Sequence, residues 1–282
     1  MTLRFLTLAL VMGIASCVCA ADGGTPENAT SNVPEYGTPE PGRQILQKIE
    51  VPANPSRWNK GVDQLGEAMS ADTAKEETLN YWLFLPKNYS ADAKDGFPLL
   101  LFLHGAGERG PDPNNAKVHG PSKLVETEQG ETWPFVTLSP QCVQDGYWCV
   151  DQLLILLDKV MAEYNIDPDR VYVTGLSMGG YGTWMLLDAA GDRFAAAAPL
   201  CGGCNPAKAG KMVDIPIWIF HGAVDSVVPP ERSQVMYDAI KKLGGEKVKL
   251  TMYPGVDHGC WVPAYNDPEL YKWFLEQKRT DR

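Results

Sequence analysis

Short apolar runs with little polar alternation recur along the chain, at residues 81–85, 97–103, 135–138, 171–174, 215–220 and 248–253. Turn-forming residues bound each of them, and a strand covered on both faces reads this way because neither face meets water. Between the runs the spacing becomes helical. From 151 to 165 the residues Leu153, Leu154, Leu157, Val160, Met161 and Tyr164 recur every three or four positions and gather on one face. The stretch 231–243 stops at Gly244, which suits a helical C-cap, and a last helix starts at Asp267-Pro268 and turns Leu270, Trp273 and Phe274 inward. Strands alternating with helices of this length predict the α/β class, with a mostly parallel central sheet flanked by helices on both faces. Neither an internal repeat nor a second folded domain is expected.

The first twenty residues follow another pattern. A single positive charge, Arg4, precedes an apolar stretch from Phe5 to about Val18 that ends in small residues. This reads as a signal peptide, too short for a membrane span. Val18-Cys19-Ala20 suits an ordinary signal peptidase, whereas Ile14-Ala15-Ser16-Cys17 resembles a lipobox that would leave Cys17 lipidated as a membrane tether. Both remain open. A buried N-terminal helix is the alternative, but the polar Pro/Gly-rich tract behind it argues against that. Residues 21–45 carry few apolar side chains to order them and are expected to be a flexible linker. Asn28-Ala29-Thr30 fits a glycosylation sequon. The expected organisation is therefore signal at 1–20, linker at 21–45 and one folded domain at 46–282, in an extracytoplasmic protein that is secreted, periplasmic or membrane-anchored.

Composition narrows the partners. With 44% hydrophobic and 21% charged residues the chain is globular, and a net charge of −10 repels nucleic acid and anionic membrane alike. Two of the seven cysteines lie in the signal, leaving Cys142, Cys149, Cys201, Cys204 and Cys260. In an oxidising compartment some should pair. Cys142 and Cys149 have the spacing of a small closed loop, and the Cys201-Gly-Gly-Cys204 segment is a candidate partner for Cys260, but five is odd and connectivity is not readable. No thioredoxin-like pattern surrounds that segment and no histidine stands at ligand spacing, so neither redox chemistry nor a metal is expected.

The most specific signal is Gly175-Leu176-Ser177-Met178-Gly179, with an apolar strand before it and an amphipathic helix after it. A serine at such a sharp strand-to-helix turn projects its hydroxyl above the sheet, and the glycines leave room for neighbouring backbone. The same glycines would serve a plain tight turn; the elements on either side favour the nucleophile. A serine hydroxyl needs a base, and the base needs an orienting group. His104 and His221 each precede a glycine at the end of a strand and His119 lies in an early loop, which leaves His258, after the last strand, as the base. Asp225 follows the strand at 215–220 and is the expected acid; Asp257 competes, although an adjacent side chain can scarcely reach its neighbour's Nδ1. The order Ser177, Asp225, His258 agrees with the order known for this type of site. Oxyanion donors are expected from the backbone amides of Met178 and of Ala106, the latter in the glycine-rich loop 103–110.

Together, LHGAGERG at 103–110, GLSMGG at 175–180, the His221-Gly222 to Asp225 stretch and DHGCW at 257–261 resemble the α/β-hydrolase superfamily, particularly its phospholipase/carboxylesterase-like and feruloyl esterase or polyhydroxybutyrate depolymerase-like branch. The resemblance spans roughly residues 75 to 278. It implies a serine esterase of Ser-Asp-His type with no cofactor, acting on a small-molecule or polymer-borne ester; peptide cleavage and a non-catalytic binding role are the alternatives. Only residues 201–214 separate the run at 194–200 from the next strand, so no large lid domain is expected and the site should be open. Tyr147, Trp148, Tyr181, Trp184 and Trp261 are candidates for an aromatic cleft, with Trp148 and Trp261 preferred for their place in loops and the helical Tyr181 and Trp184 read as core. Glu108 and Arg109 are expected either at a polar leaving group or in surface pairs.

Overall fold

The computed structural model describes residues 34–54, 72–143 and 146–279. These form an eight-stranded sheet in the order β1-β2-β4-β3-β5-β6-β7-β8. The strands are β1 Gln44–Ala53, β2 Asp72–Phe84, β3 Phe97–Leu103, β4 Val136–Pro140, β5 Ile166–Leu176, β6 Ala196–Leu200, β7 Ile217–Gly222 and β8 Val248–Tyr253. From β4 to β8 every neighbouring pair is parallel, whereas β2 runs antiparallel to both β4 and β1.

Central strand β3 shows why the apolar runs carried so clear a signal. Leu99, Leu101 and Leu103 face one core, with helices α2 (Val150–Glu163), α3 (Met178–Ala190) and α4 (Glu231–Lys242). Leu100 and Phe102 face the other, with α1 (Gly120–Leu124), α5 (Trp261–Asn266) and α6 (Pro268–Glu276). All five are fully buried, and each such side chain contributes roughly 1.5–3 kcal/mol relative to exposure. The helix signals hold at residue level: Gly244 follows α4 with φ 90°, and the Asp267 carboxylate accepts the Glu269 amide at 3.0 Å ahead of α6.

Boundaries shift where the periodicity was weak. β7 starts two residues later than the apolar run at 215, because the Ile215 amide closes a turn on the Met212 carbonyl. β1, an edge strand with one face toward solvent, was not predicted, since its Gln, Lys and Glu residues interrupt the apolar pattern. Within the expected linker, residues 34–43 run beside the sheet edge, where Tyr36 bridges Leu46 and donates its hydroxyl to Asn80 at 2.7 Å. The signal segment, Cys17 and the sequon at Asn28 lie outside the described residues. Among the described residues no helix is long and apolar enough to cross a membrane.

Among the described residues the expected disulfides do not form: Cys142, Cys149, Cys201, Cys204 and Cys260 are all buried, and no disulfide joins them to one another. The Cys142 amide is tied to His104 Nε2 at 3.0 Å, and Cys149 stands directly before α2. Cys201 lies against the thiol of Cys260, while Cys204 packs in the opposite core.

Candidate active site

Ser177 joins β5 to α3 with φ 52° and ψ −114°. A non-glycine residue in such a conformation costs on the order of 1–3 kcal/mol and persists only where its surroundings enforce it. Here they do. The Ser177 amide donates to the Leu200 carbonyl at 3.0 Å, and a Cβ on Gly179 would fall 1.9 Å from the Leu103 carbonyl oxygen. One on Gly180 would fall 2.2 Å from the Leu200 oxygen. Backbone from β3, β6 and α3 therefore meets at one point, and the hydroxyl is left above the carboxyl edge of the sheet.

Three loops from that edge converge there. His258, after β8, places Nε2 2.9 Å from Ser177 Oγ and Nδ1 2.8 Å from Asp225 Oδ2. The carboxylate fixes the tautomer: Nδ1 donates to it, so Nε2 is free to accept the serine proton. Asp225, after β7, has a fully buried side chain. A buried carboxylate needs several donors, and Oδ1 accepts the amides of Val227 at 2.9 Å and Val228 at 2.8 Å. His221, for which the sequence offers no role, places its Nε2 3.2 Å from Asp225 Oδ2 and 2.9 Å from the Val228 carbonyl, while Nδ1 meets the Ser233 hydroxyl at 2.6 Å. Burial holds the His221 pKa below its ordinary value, so it supports the carboxylate as a neutral donor. Its position at the end of β7 was the only available signal.

Asp257 bonds to Ser226 and to the His258 amide, whereas the His258 ring bonds to Asp225. Asp257 Oδ1 accepts the amide and hydroxyl of Ser226, at 2.7 and 2.9 Å, and the His258 amide at 2.8 Å.

Ala106 and Met178 each open a helical turn, so neither amide has an acceptor within its own turn. Gly105 brings their loops together, since a Cβ there would lie 2.7 Å from Leu176 Cδ1, one residue before Ser177. His104 Nδ1 donates to the Gly105 carbonyl at 2.7 Å while Nε2 accepts the Cys142 amide at 3.0 Å. Desolvation drives the His104 pKa down to about 4, which keeps the ring neutral in this role. Gln141 Nε2 donates to the carbonyls of Glu108, Gly110 and Cys142 at 2.8, 3.2 and 3.0 Å. Arg109 donates to Ala106 and Gly146 carbonyls at 2.9 and 3.0 Å. Glu108 thus binds its own loop through the Gly105 amide, and Arg109 ties that loop to the one at Gly146.

Of the two preferred aromatic residues, only Trp261 reaches the site. Its ring stands perpendicular to His258 at a centroid distance of 5.2 Å and lies 5.6 Å from His119. Trp148 is buried beneath the loop, its Nε1 donating to the His104 carbonyl at 3.3 Å. It packs into the core and borders a small cavity with Asn54, Glu77 and Cys142, whose lining does not include Ser177 or His258. Tyr181 and Trp184 are core residues, and Tyr147 is half-buried. Cys201, Asp225 and His258 bring metal-ligating atoms within 4.8 Å of one another. They suit a metal poorly: Asp225 and His258 already bond to each other, and burial raises the Cys201 thiol far above the range in which it ionises.

Residues 145–270 match the model of the dienelactone hydrolase family. A solved thermostable esterase is 37% identical, with a TM-score of 0.67 over 74% of this chain and 61% of that one. A bifunctional acetylxylan esterase/xylanase of Neocallimastix patriciarum is 32% identical over 52% of this chain, and a poly(3-hydroxyalkanoate) depolymerase C of Paucimonas lemoignei is 30% identical over 45% of it. The chain spans only 21% and 30% of those two relatives' lengths. With the sheet order and the strand-turn-helix at Ser177, these matches place a dienelactone hydrolase family domain within residues 145–270 and show that the chain has an α/β-hydrolase fold.

Proposed function

We propose that the protein is a serine carboxylic-ester hydrolase working through an acyl-enzyme on short-chain, aromatic or carbohydrate-linked acyl esters. One observation carries this reading: the unbroken series from Ser177 Oγ through His258 to the buried Asp225 carboxylate. In the proposed cycle Ser177 Oγ attacks the ester carbonyl carbon as its proton passes to His258 Nε2, and Asp225 stabilises the imidazolium. Charge forming on the carbonyl oxygen is met by the amides of Ala106 and Met178 and by the positive end of α3. Collapse expels the alcohol, which takes the proton from Nε2, and water repeats the sequence to release the acid. No step calls for a cofactor.

The likeness to the thermostable esterase and to the acetylxylan esterase/xylanase supports ester chemistry. The short connection from β6 to β7, one 3-10 segment at Pro206–Met212, supports an open site that accepts a polymer-borne ester. Turnover of p-nitrophenyl acetate by wild type and Ser177→Ala tests the reading: a loss on the order of 10⁶ in kcat is expected, and equal rates would remove it in favour of a binding role. On a panel of acetylated and feruloylated sugars, polyesters and peptides, faster cleavage of peptides would replace esterase by peptidase. We also propose export through residues 1–20, checked by mass spectrometry of the mature amino terminus; retention of Met1 would overturn it.

A further inference from the structure

Glu108 points back at its own loop. Its Oε2 accepts the Gly105 amide at 2.8 Å, and its Oε1 lies 3.7 Å from His119 Nε2, too far to compete as a hydrogen bond. Gly105 is thereby held at φ −82° and ψ 179°, and it is gripped from two sides. A Cβ at this position would stand 2.9 Å from Glu108 Oε2 and 2.7 Å from Leu176 Cδ1. A Cβ here would push aside the ends of the Glu108 and Leu176 side chains, so glycine leaves room for both to approach.

The next peptide unit joins the Gly105 carbonyl to the Ala106 amide. Its oxygen is taken by His104 Nδ1 at 2.7 Å. In a trans peptide the N–H points opposite to the C=O, so fixing the oxygen on His104 directs the Ala106 N–H away from the buried ring. Without the Glu108 carboxylate the unit could still pivot, because it would be held only at its oxygen, by His104 and by the longer bond from the Glu108 amide at 3.4 Å.

We propose that Glu108 is a positioning residue for the oxyanion hole, its carboxylate clamping Gly105 so that the Ala106 amide faces the ester carbonyl oxygen. The inference rests on the hydrolase reading above. An oxyanion donor acts on the transition state more than on bound substrate, and deleting one outright costs about 10²–10³ in kcat. Misdirecting one should cost somewhat less.

The test compares Glu108→Ala, Glu108→Met and Glu108→Gln with wild type and Ser177→Ala on p-nitrophenyl acetate, with circular dichroism to verify folding. Alanine and methionine should lower kcat by roughly 10- to 100-fold with KM changed less than about 3-fold, and glutamine, whose amide oxygen still accepts, should recover most of the rate. Folded Ala and Met variants with wild-type kcat would overturn the role, as would a change confined to KM, or a Gln variant as impaired as Ala. Unfolding of both Ala and Met would overturn it too, replacing positioning by a structural role. Wild type lacking Ser177-dependent turnover would instead reject the hydrolase reading itself.

Discussion

Ser226 and Asp257, on the loops after β7 and β8, are joined by hydrogen bonds: the Ser226 amide donates to Asp257 Oδ1 at 2.7 Å, and the Ser226 hydroxyl is shared between Oδ1 at 2.9 Å and Oδ2 at 3.1 Å. The link ties the segment carrying Asp225 to the one carrying His258. Asp257 completes it by accepting the His258 amide at 2.8 Å, and these donors hold its carboxyl below the usual range. Two neighbouring carboxylates thus divide the work, Asp225 facing the imidazole and Asp257 facing the backbone.

Asparagine substitutions should separate them. Asp225→Asn removes the charge that fixes the His258 tautomer and is expected to lower kcat by about 10⁴. Asp257→Asn keeps an acceptor for Ser226 and should lower it by less than about 10-fold. Steady-state kinetics on one ester decides, and equal losses would contradict the division.

The two tryptophans should differ in the same manner. Trp148→Ala empties a buried site under His104 and is expected to cost about 3–5 kcal/mol in urea unfolding. Trp261→Ala should leave stability within about 1 kcal/mol while changing KM or acyl preference. A stable Trp148→Ala protein with altered ester preference would reverse the assignment.

Gly179→Ala tests the backbone junction. Its Cβ would lie 1.9 Å from the Leu103 carbonyl oxygen, and rigid backbone cannot yield cheaply, so destabilisation above about 3 kcal/mol is expected. A wild-type melting temperature would show that the junction relaxes.

Acid sensitivity follows from His104. Its pKa falls from 6.5 in the unfolded chain to about 4 when buried, so between these values the unfolded chain binds a proton that the native protein refuses. This contribution is fully present above pH 6.5 and is lost as pH falls toward 4, by about 3 kcal/mol in total. His221, also shifted downward by burial, acts in the same direction. Urea midpoints measured from pH 7 to 4 should decline through this window; a flat profile would contradict the burial of neutral imidazoles.

Much of the fold was legible because the strands from β3 to β7 are largely covered on both faces and their runs are continuous, while the part-exposed edge strand β8 still kept an apolar pattern. β1 escaped because an edge strand shares its residues with water. Gln141 had no local signal, and those of His221, at the end of a strand, and Glu108, in a glycine-rich loop, did not say what each would bind, since their partners are set by folding.

By itself the sequence determined the turn at Ser177 and the chain order of Ser177, Asp225 and His258, because a strand running into a glycine-flanked serine and then a helix is a local property. Tertiary structure alone decided which carboxylate meets the imidazole and which tryptophan reaches the site. Those outcomes depend on how loops from different strands pack at the sheet edge, where Ser226 draws Asp257 aside and the His104 carbonyl draws Trp148 beneath. Distances between loops are set by that packing, and no spacing along the chain encodes them.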